Sequence, residues 1–183
     1  MTNQRIILGI DPGTSVTGYG IIKSTGDKIE IVALGVMELS KFTGHYLKLS
    51  KIFERTLHLI DNYSPTEFAI EAPFFGKNVQ SMLKLGRAQG VAIAAALYRN
   101  LPINEYSPRK IKMAVTGRGD SSKEQVAAFL ASTLNIPELP TKLDATDGLA
   151  AAVCHFYQKK AAVVTTTGNS WKDFIKNNPD RVK

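Results

Sequence analysis

The chain has 183 residues, of which 44% are hydrophobic, so it suits one folded domain and a broadly disordered protein is excluded. Lys and Arg number 23 against 16 Asp and Glu, which gives a formal net charge of +7. This excess of positive charge favours a nucleic acid as partner, although an ordinary basic soluble protein has the same balance.

The first forty residues predict a meander of three strands. The segment 6–11 is apolar on both faces, which is typical of a central strand. Gly, Pro, Ser and Thr residues mark turns on either side of the second strand. The predicted strands span 6–11, 16–23 and 28–39, with turns at 12–15 and 24–27.

Beyond residue 40, helical patterns alternate with short strands. The predicted helices span 44–62, 79–100, a segment from 108, 122–134 and a segment from about 143, and the predicted strands span 68–71 and 102–106. We therefore predict an α/β domain over residues 1–160, with a mixed five-stranded sheet flanked by helices. A polar tail over 161–183 follows, in which Trp171, Phe174 and Ile175 suit one short docking helix.

Four acidic residues stand where a metal site would need them. Asp11 and Glu71 each end an apolar strand, and Asp144 and Asp147 share one face of a helix because they are three residues apart. Burying several carboxylates together is costly, and hard divalent cations remove their repulsion. A plain turn after Asp11, a surface strand end at Glu71 and helix capping by an Asp are the alternative interpretations.

The glycines around Asp11, in Gly9-x-Asp11-x-Gly13-Thr14, allow backbone amides to approach a phosphate. This segment is not a nucleotide-binding P-loop, because Tyr19 and Gly20 stand where Lys and Ser or Thr are required. No dinucleotide-binding glycine motif opens a helix either. We therefore expect no organic cofactor.

Basic and aromatic residues suggest contacts with a polyanion. The basic residues Lys110, Lys112, Arg118 and Lys123 surround a glycine-rich loop over 117–120 and are suited to phosphate contact, with a solvated surface as the alternative. Phe74 and Phe75 follow Glu71, where a ring either stacks on an unpaired base or packs in the core.

The joint pattern resembles the RuvC family of bacterial Holliday junction resolvases over residues 5–157. The matching segments, in order, are Ile-Leu-Gly-Ile-Asp11-Pro-Gly-Thr, Ala-Ile-Glu71-Ala-Pro-Phe74-Phe75-Gly-Lys-Asn, Leu-Lys-Leu-Gly-Arg-Ala-Gln-Gly-Val-Ala and Asp144-Ala-Thr-Asp147-Gly-Leu-Ala. The resemblance implies a ribonuclease H-like fold and a homodimer that nicks two opposed strands of a four-way DNA junction. It also implies two Mg²⁺ ions per active site, for which Mn²⁺ substitutes, and partnership with the RuvA–RuvB branch-migration complex.

The same resemblance assigns roles to individual residues. It places the catalytic and metal-binding acids on Asp11, Glu71, Asp144 and Asp147. It places DNA-binding residues on Lys112, Lys123 and Phe74, although this chain has Ala72-Pro73 where a polar residue is common, so Phe75 remains an alternative to Phe74.

Three other functions stay open on the sequence. They are a ribonuclease H-like nuclease that processes structured RNA, an actin-like phosphotransferase, for which the chain is too short, and a non-catalytic junction-binding module. The helix over 79–100 presents Gly86, Gly90, Ala94 and Tyr98 along one side, for contact with a second subunit or with the chain's own sheet. The sequence lacks a signal peptide and a membrane-spanning apolar run, so we expect a cytoplasmic protein with no membrane partner.

Overall fold

A mixed five-stranded sheet lies at the centre of the fold. The computed structural model describes residues 4–73, 78–138 and 140–166. The strands are β1 (Gln4–Asp11), β2 (Val16–Thr25), β3 (Lys28–Glu38), β4 (Glu67–Glu71) and β5 (Ile103–Tyr106). Their order in the sheet is β3-β2-β1-β4-β5, in which β1, β2 and β3 are antiparallel neighbours and β4 and β5 run parallel to β1. The predicted mixed sheet with one antiparallel side is confirmed.

Helices cover both faces of this sheet. They are α1 (His45–Tyr63), α2 (Val79–Tyr98), α3 (Pro108–Thr116), α4 (Lys123–Leu134) and α5 (Asp144–Thr166). One hydrophobic core lies between the sheet and α1 and α2, and a second lies between the sheet and α3, α4 and α5. All the predicted helices and strands are present, and each end that was predicted lies within two residues of the observed end.

The limits of the predicted tail stay a prediction. Helix α5 runs to Thr166, and the tail residues Trp171, Phe174 and Ile175 lie outside the described residues. Within the described part of the chain, no helix is both long and apolar enough to cross a membrane.

Side-chain caps fix the starts of α3 and α4, the two helices that carry Lys112 and Lys123. The Ser107 hydroxyl accepts a hydrogen bond from the Lys110 backbone N–H, and Pro108 occupies the first helical turn. Ser122 and Gln125 form a reciprocal capping box at the start of α4. These caps set where each helix begins, and so which residues of its first turns face the sheet.

A buried polar network joins α5 to the sheet. On α5, His155 Nδ1 lies 2.6 Å from the Tyr106 hydroxyl, and its Nε2 lies 2.5 Å from Glu67 Oε2. Arg5 binds the same Glu67 carboxylate through two nitrogens, at 2.6 and 2.9 Å. His155 is therefore a packed structural residue, and its neighbour Cys154 is buried in the core.

Candidate active site

The ends of two parallel strands place the first two acids side by side. β1 and β4 are hydrogen-bonded neighbours with Ile10 opposite Ile70, so the next residues, Asp11 and Glu71, leave the sheet at the same edge. Helix α5 begins above this edge with Asp144 and Asp147 in its first turn. Carboxylate oxygens of Asp11, Asp144 and Asp147 lie within 4.8 Å of one another.

Glu71 lines the same cleft as Asp11 and Asp147, beside this group of three. The cleft has a volume of about 630 Å³ and is lined on its other sides by residues of α3, α4 and α5. Three of the four acids predicted from the sequence thus line one concave surface, and the fourth, Asp144, has a carboxylate oxygen within 4.8 Å of those of Asp11 and Asp147. The lining residues are Asp11, Glu71, Ser107, Pro108, Arg109, Ile111, Lys112, Gly119, Lys123, Val126, Asp147 and Ala150.

Direct backbone packing holds the start of α5 against the sheet. Gly18 is opposite Asp11 in the β1–β2 ladder, and a Cβ atom at Gly18 would lie only 1.7 Å from the Asp144 carbonyl oxygen. A Cβ atom at Gly148 would lie 2.5 Å from Tyr19 Cα. The absence of side chains at these two glycines lets α5 approach the sheet closely enough to bring its carboxylates to Asp11.

Burial and mutual repulsion make the acids difficult to ionise. Burial raises the pKa of Asp11 well above its usual range, and the nearby Glu71 and Asp147 carboxylates raise it further. For Glu71, burial and then repulsion from Asp147 raise the pKa to about 7. The pKa of Asp147 is also raised, chiefly by burial, although its hydrogen bond with Lys123 opposes the shift. Carboxylates with these shifts need a positive partner in order to be charged together.

Two predicted basic residues face these acids. The Lys123 ammonium lies 2.5 Å from Asp147 Oδ2 and 3.4 Å from Asp144 Oδ1. Lys112 also lines the cleft and lowers the pKa values of Glu71 and Asp147. These two lysines partly offset the repulsion between the carboxylates.

The other two residues of the predicted basic group, Lys110 and Arg118, are not among the residues that line the cleft. Lys110 lies over the Tyr106 ring at 5.2 Å, and Arg118 pairs with Asp120 at 3.2 Å on the exposed surface. Arg109, which sequence reasoning missed, does line the cleft, where its Cγ would be 2.7 Å from a Cβ at Gly119. The predicted aromatic residue Phe74 and its alternative Phe75 lie outside the described residues.

The donor set is suited to a hard divalent cation. Each of Asp11, Asp144 and Asp147 offers a carboxylate oxygen, which is the ligand type that Mg²⁺ and Mn²⁺ bind. The raised pKa of Asp11 reports the burial and mutual repulsion that a bound cation relieves. The residues therefore fit a metal site on their chemistry.

We expect the thermal stability of the metal-free protein to fall as pH rises from about 5 to about 8. The pKa of Glu71 is about 7 in the folded protein, against an ordinary value of 4.5 in the unfolded chain. Proton binding at Glu71 therefore stabilises the folded state fully below pH 4.5, and this stabilisation is lost as the pH rises through about 7. Asp11 shifts in the same direction. The check is thermal unfolding in EDTA, compared with a Glu71→Gln variant, whose unfolding temperature should depend less on pH in this window.

Mg²⁺ should raise the unfolding temperature more at the upper end of this pH range, because the deprotonated carboxylates bind the cation. An equal Mg²⁺ effect at both ends, or identical pH profiles for wild type and Glu71→Gln, would contradict the assignment of this cluster as the metal site.

Comparisons with known proteins give one consistent family. The family model described as "Crossover junction endodeoxyribonuclease RuvC" matches residues 7–155. A relative of that name from Christiangramia forsetii is 59% identical, over 100% of this chain and 95% of its own length. The Thermus thermophilus RuvC structure in complex with Holliday junction substrate is 28% identical, with a TM-score of 0.80 over 86% of this chain and 96% of that one. The yeast mitochondrial resolvase Ydc2 is 17% identical, with a TM-score of 0.61 over 93% of this chain and 83% of that one, a likeness of fold alone.

Proposed function

This chain belongs to the RuvC family of crossover junction endodeoxyribonucleases, and from that premise we propose that the cleft around Asp11 hydrolyses phosphodiester bonds in four-way DNA junctions. Its fold is ribonuclease H-like, and it resolves Holliday junctions as a nuclease. The observation that carries the assignment of the site is the convergence of three carboxylates within 4.8 Å, with Glu71 beside them.

The acids are proposed to hold two Mg²⁺ ions, for which Mn²⁺ substitutes. Asp11, whose pKa is raised by all three other acids, would be the ligand shared between the ions, Glu71 would serve one ion, and Asp144 and Asp147 would serve the other. When bound, such ions supply an activated water and stabilise the oxygen that leaves. The chain's own contribution is to bring these carboxylates together at the ends of two strands and one helix, and to place Lys112 and Lys123 beside them to offset part of their repulsion. The proposed reaction needs no covalent enzyme intermediate.

Lys112 and Lys123 are proposed to contact DNA phosphates at the mouth of this cleft. The Lys123 side chain is 53% exposed while its ammonium also contacts Asp147, so it can reach both an incoming phosphate and the acids. Lys112 comes from the neighbouring helix α3 and lines the same cleft. A phosphate that entered this cleft would therefore meet positive charge from two different helices.

Lys112→Ala is expected to weaken junction binding and to reduce the slope of log affinity against log salt by about one, because one phosphate contact is lost. The check is a salt titration of binding to a four-way junction in EDTA. Lys110→Ala is the matched control, since that ammonium lies over the Tyr106 ring instead. Equal slopes for the wild type and both variants would show that Lys112 is a solvated surface residue that makes no phosphate contact.

A homodimer formed through α2 is proposed to supply the second active site. Gly90 and Ala94 are exposed, and so are Leu83 and Tyr98, at 51% and 67%. Among the described residues, a Cβ atom added at Gly86 or Gly90 would meet nothing within 4 Å, so this side of the helix does not pack against the chain's own sheet. An exposed apolar stripe with small residues suits close contact with another copy of the helix. Two copies related by a twofold axis would present one active site to each of two opposed DNA strands of the junction. Sedimentation at micromolar concentration should show a dimer, and a monomer that makes both cuts would contradict it.

The test of the whole proposal is cleavage of a synthetic four-way junction labelled on two opposed strands, with Mg²⁺ and with EDTA. Paired nicks that need Mg²⁺ are expected, each leaving a 5′-phosphate and a 3′-hydroxyl. Cleavage of structured RNA but not of the junction would favour the RNA-processing alternative, and tight binding without cleavage would favour a junction-binding module. Partnership with RuvA–RuvB and a cytoplasmic location stay predictions.

A further inference from the structure

Gln89 of α2 touches the strand that carries Glu71. Its side-chain nitrogen donates to the Glu71 backbone carbonyl at 3.3 Å and to Glu105 Oε2 at 3.0 Å. Gln89 is 8% exposed and lies between the buried Ala88 and the exposed Gly90. A buried amide with two specific partners at the edge of the candidate active site has a defined orientation.

The chemistry of the partners fixes which amide atom faces them. A backbone carbonyl and a carboxylate both accept hydrogen bonds, so only the NH₂ end of Gln89, which carries two protons, can serve both. The carboxamide oxygen in that place would face two acceptors and lose both bonds. Gln89 is therefore a two-pronged donor held between β4 and β5.

The Glu71 backbone carbonyl lacks a hydrogen-bond donor from the neighbouring strand β1, so its donor must come from outside the sheet. β4 ends at Glu71, and its neighbour β1 ends at Asp11, followed by Pro12, which has no N–H to donate to the adjacent strand. The backbone that carries the Glu71 side chain is thus held by the β5 side, where Ala72 donates to the Tyr106 carbonyl at 2.8 Å, and by Gln89. Loss of the Gln89 donor frees one side of this strand end.

We propose that Gln89 is a positioning residue that holds Glu71 at the geometry needed for metal binding, with Glu105 orienting its amide. This inference rests on the proposed role of Glu71 as a metal ligand. It explains why a polar side chain is buried on a helix whose other fully buried residues are alanines: Ala88, Ala92, Ala95 and Ala96. Partners of metal ligands affect metal affinity because they fix the orientation of the ligand.

The experiment replaces Gln89 with Met, which keeps the length and removes the donor. The Mg²⁺ concentration for half-maximal junction cleavage should rise by about 10-fold, and calorimetric Mg²⁺ binding to the DNA-free protein should weaken by a similar factor. Junction affinity in EDTA should be unchanged. A variant that has only lost stability would instead show a lower unfolding temperature and a smaller active fraction, with the same Mg²⁺ dependence.

Gln80→Met is the matched control, because Gln80 is exposed on the same helix and should leave the Mg²⁺ dependence unchanged. Glu105→Ala should shift the Mg²⁺ dependence in the same direction by less, and the double variant should be no worse than Gln89→Met. Wild-type Mg²⁺ affinity in both Gln89→Met and Glu105→Ala would overturn the proposal. If Gln89→Met does not fold, a wild-type Mg²⁺ dependence in Glu105→Ala would overturn it alone.

These outcomes separate the inference from the proposed function. If the wild type cuts the junction and the Gln89 variant has the same Mg²⁺ dependence, the positioning role fails while the nuclease assignment stands. If the wild type does not cut the junction, the nuclease assignment fails, and the calorimetric comparison still decides whether Gln89 affects cation binding at Glu71.

Discussion

Replacing Asp11 with Asn should abolish junction cleavage, by at least about 10³-fold, while leaving junction binding in place. The carboxylates of Glu71, Asp147 and Asp144 all raise the pKa of Asp11, so replacing Asp11 removes the carboxylate that interacts with each of the other three. We expect binding to depend on basic residues such as Lys112, which this change leaves intact. Single-turnover cleavage of a labelled junction at saturating protein measures the effect without interference from affinity.

The same substitution should make the metal-free protein more stable. Asp11 is an acid whose charged form is disfavoured by burial and by Glu71 and Asp147, so a neutral amide of the same shape relieves the repulsion. We expect a higher unfolding temperature than wild type in EDTA and a smaller gain on adding Mg²⁺. Glu38→Gln is a control, because Glu38 is an exposed acid paired with Lys142 away from the cleft. Cleavage by Asp11→Asn at the wild-type rate would defeat the metal assignment.

The acids could be found from the sequence because each sits at a recognisable position in its element. Asp11 and Glu71 end apolar strands, and parallel neighbouring strands deliver their carboxyl ends to one edge of a sheet. Asp144 and Asp147 share a helix face at a separation of three residues. What the sequence could not supply was the distance between the α5 pair and Asp11, which depends on how closely that helix approaches the sheet.

Local sequence patterns could not predict the contacts between residues far apart in the sequence. The Glu67–His155 contact joins residues separated by 88 positions, and neither residue belongs to a motif. The Gln89 contact with Glu71 spans 18 positions and needs the packing of α2 on the sheet to be known. Such contacts arise from tertiary packing, for which a single sequence holds no local signal.

Two of the four basic residues expected around the glycine-rich loop line the cleft, and helix geometry explains why Lys110 does not join them. Lys110 and Lys112 are two residues apart on α3, which rotates their side chains to nearly opposite faces of the helix. Lys112 consequently faces the cleft, while Lys110 lies against Tyr106. Proximity in sequence within a helix predicts a common surface only at spacings of three or four.

Gly18→Ala should disable the active site without touching any carboxylate. The new methyl group would lie 1.7 Å from the Asp144 carbonyl oxygen and 2.7 Å from its carbonyl carbon, and these are backbone atoms that cannot turn aside. The first turn of α5 must move away from β2 by more than an ångström, and it carries Asp144 and Asp147 with it. A displacement of that size is expected to lower the cleavage rate by about 10²-fold and to cost about 1–3 kcal/mol in the free energy of unfolding.

The control for this effect is Gly35→Ala, a glycine on the neighbouring strand β3. There the new methyl group would meet the Tyr19 hydroxyl at 2.7 Å, and a side-chain end can give way where a helix backbone cannot. Cleavage at saturating Mg²⁺, measured well below each variant's unfolding temperature, should therefore fall for Gly18→Ala and change little for Gly35→Ala. Gly18→Ala that retains both the wild-type cleavage rate and Mg²⁺ affinity would show that backbone contact between α5 and β2 does not set the position of the two acids. Loss of cleavage in a folded Gly18→Ala would mean that a residue with no side chain determines the metal site, through the helix approach that it permits.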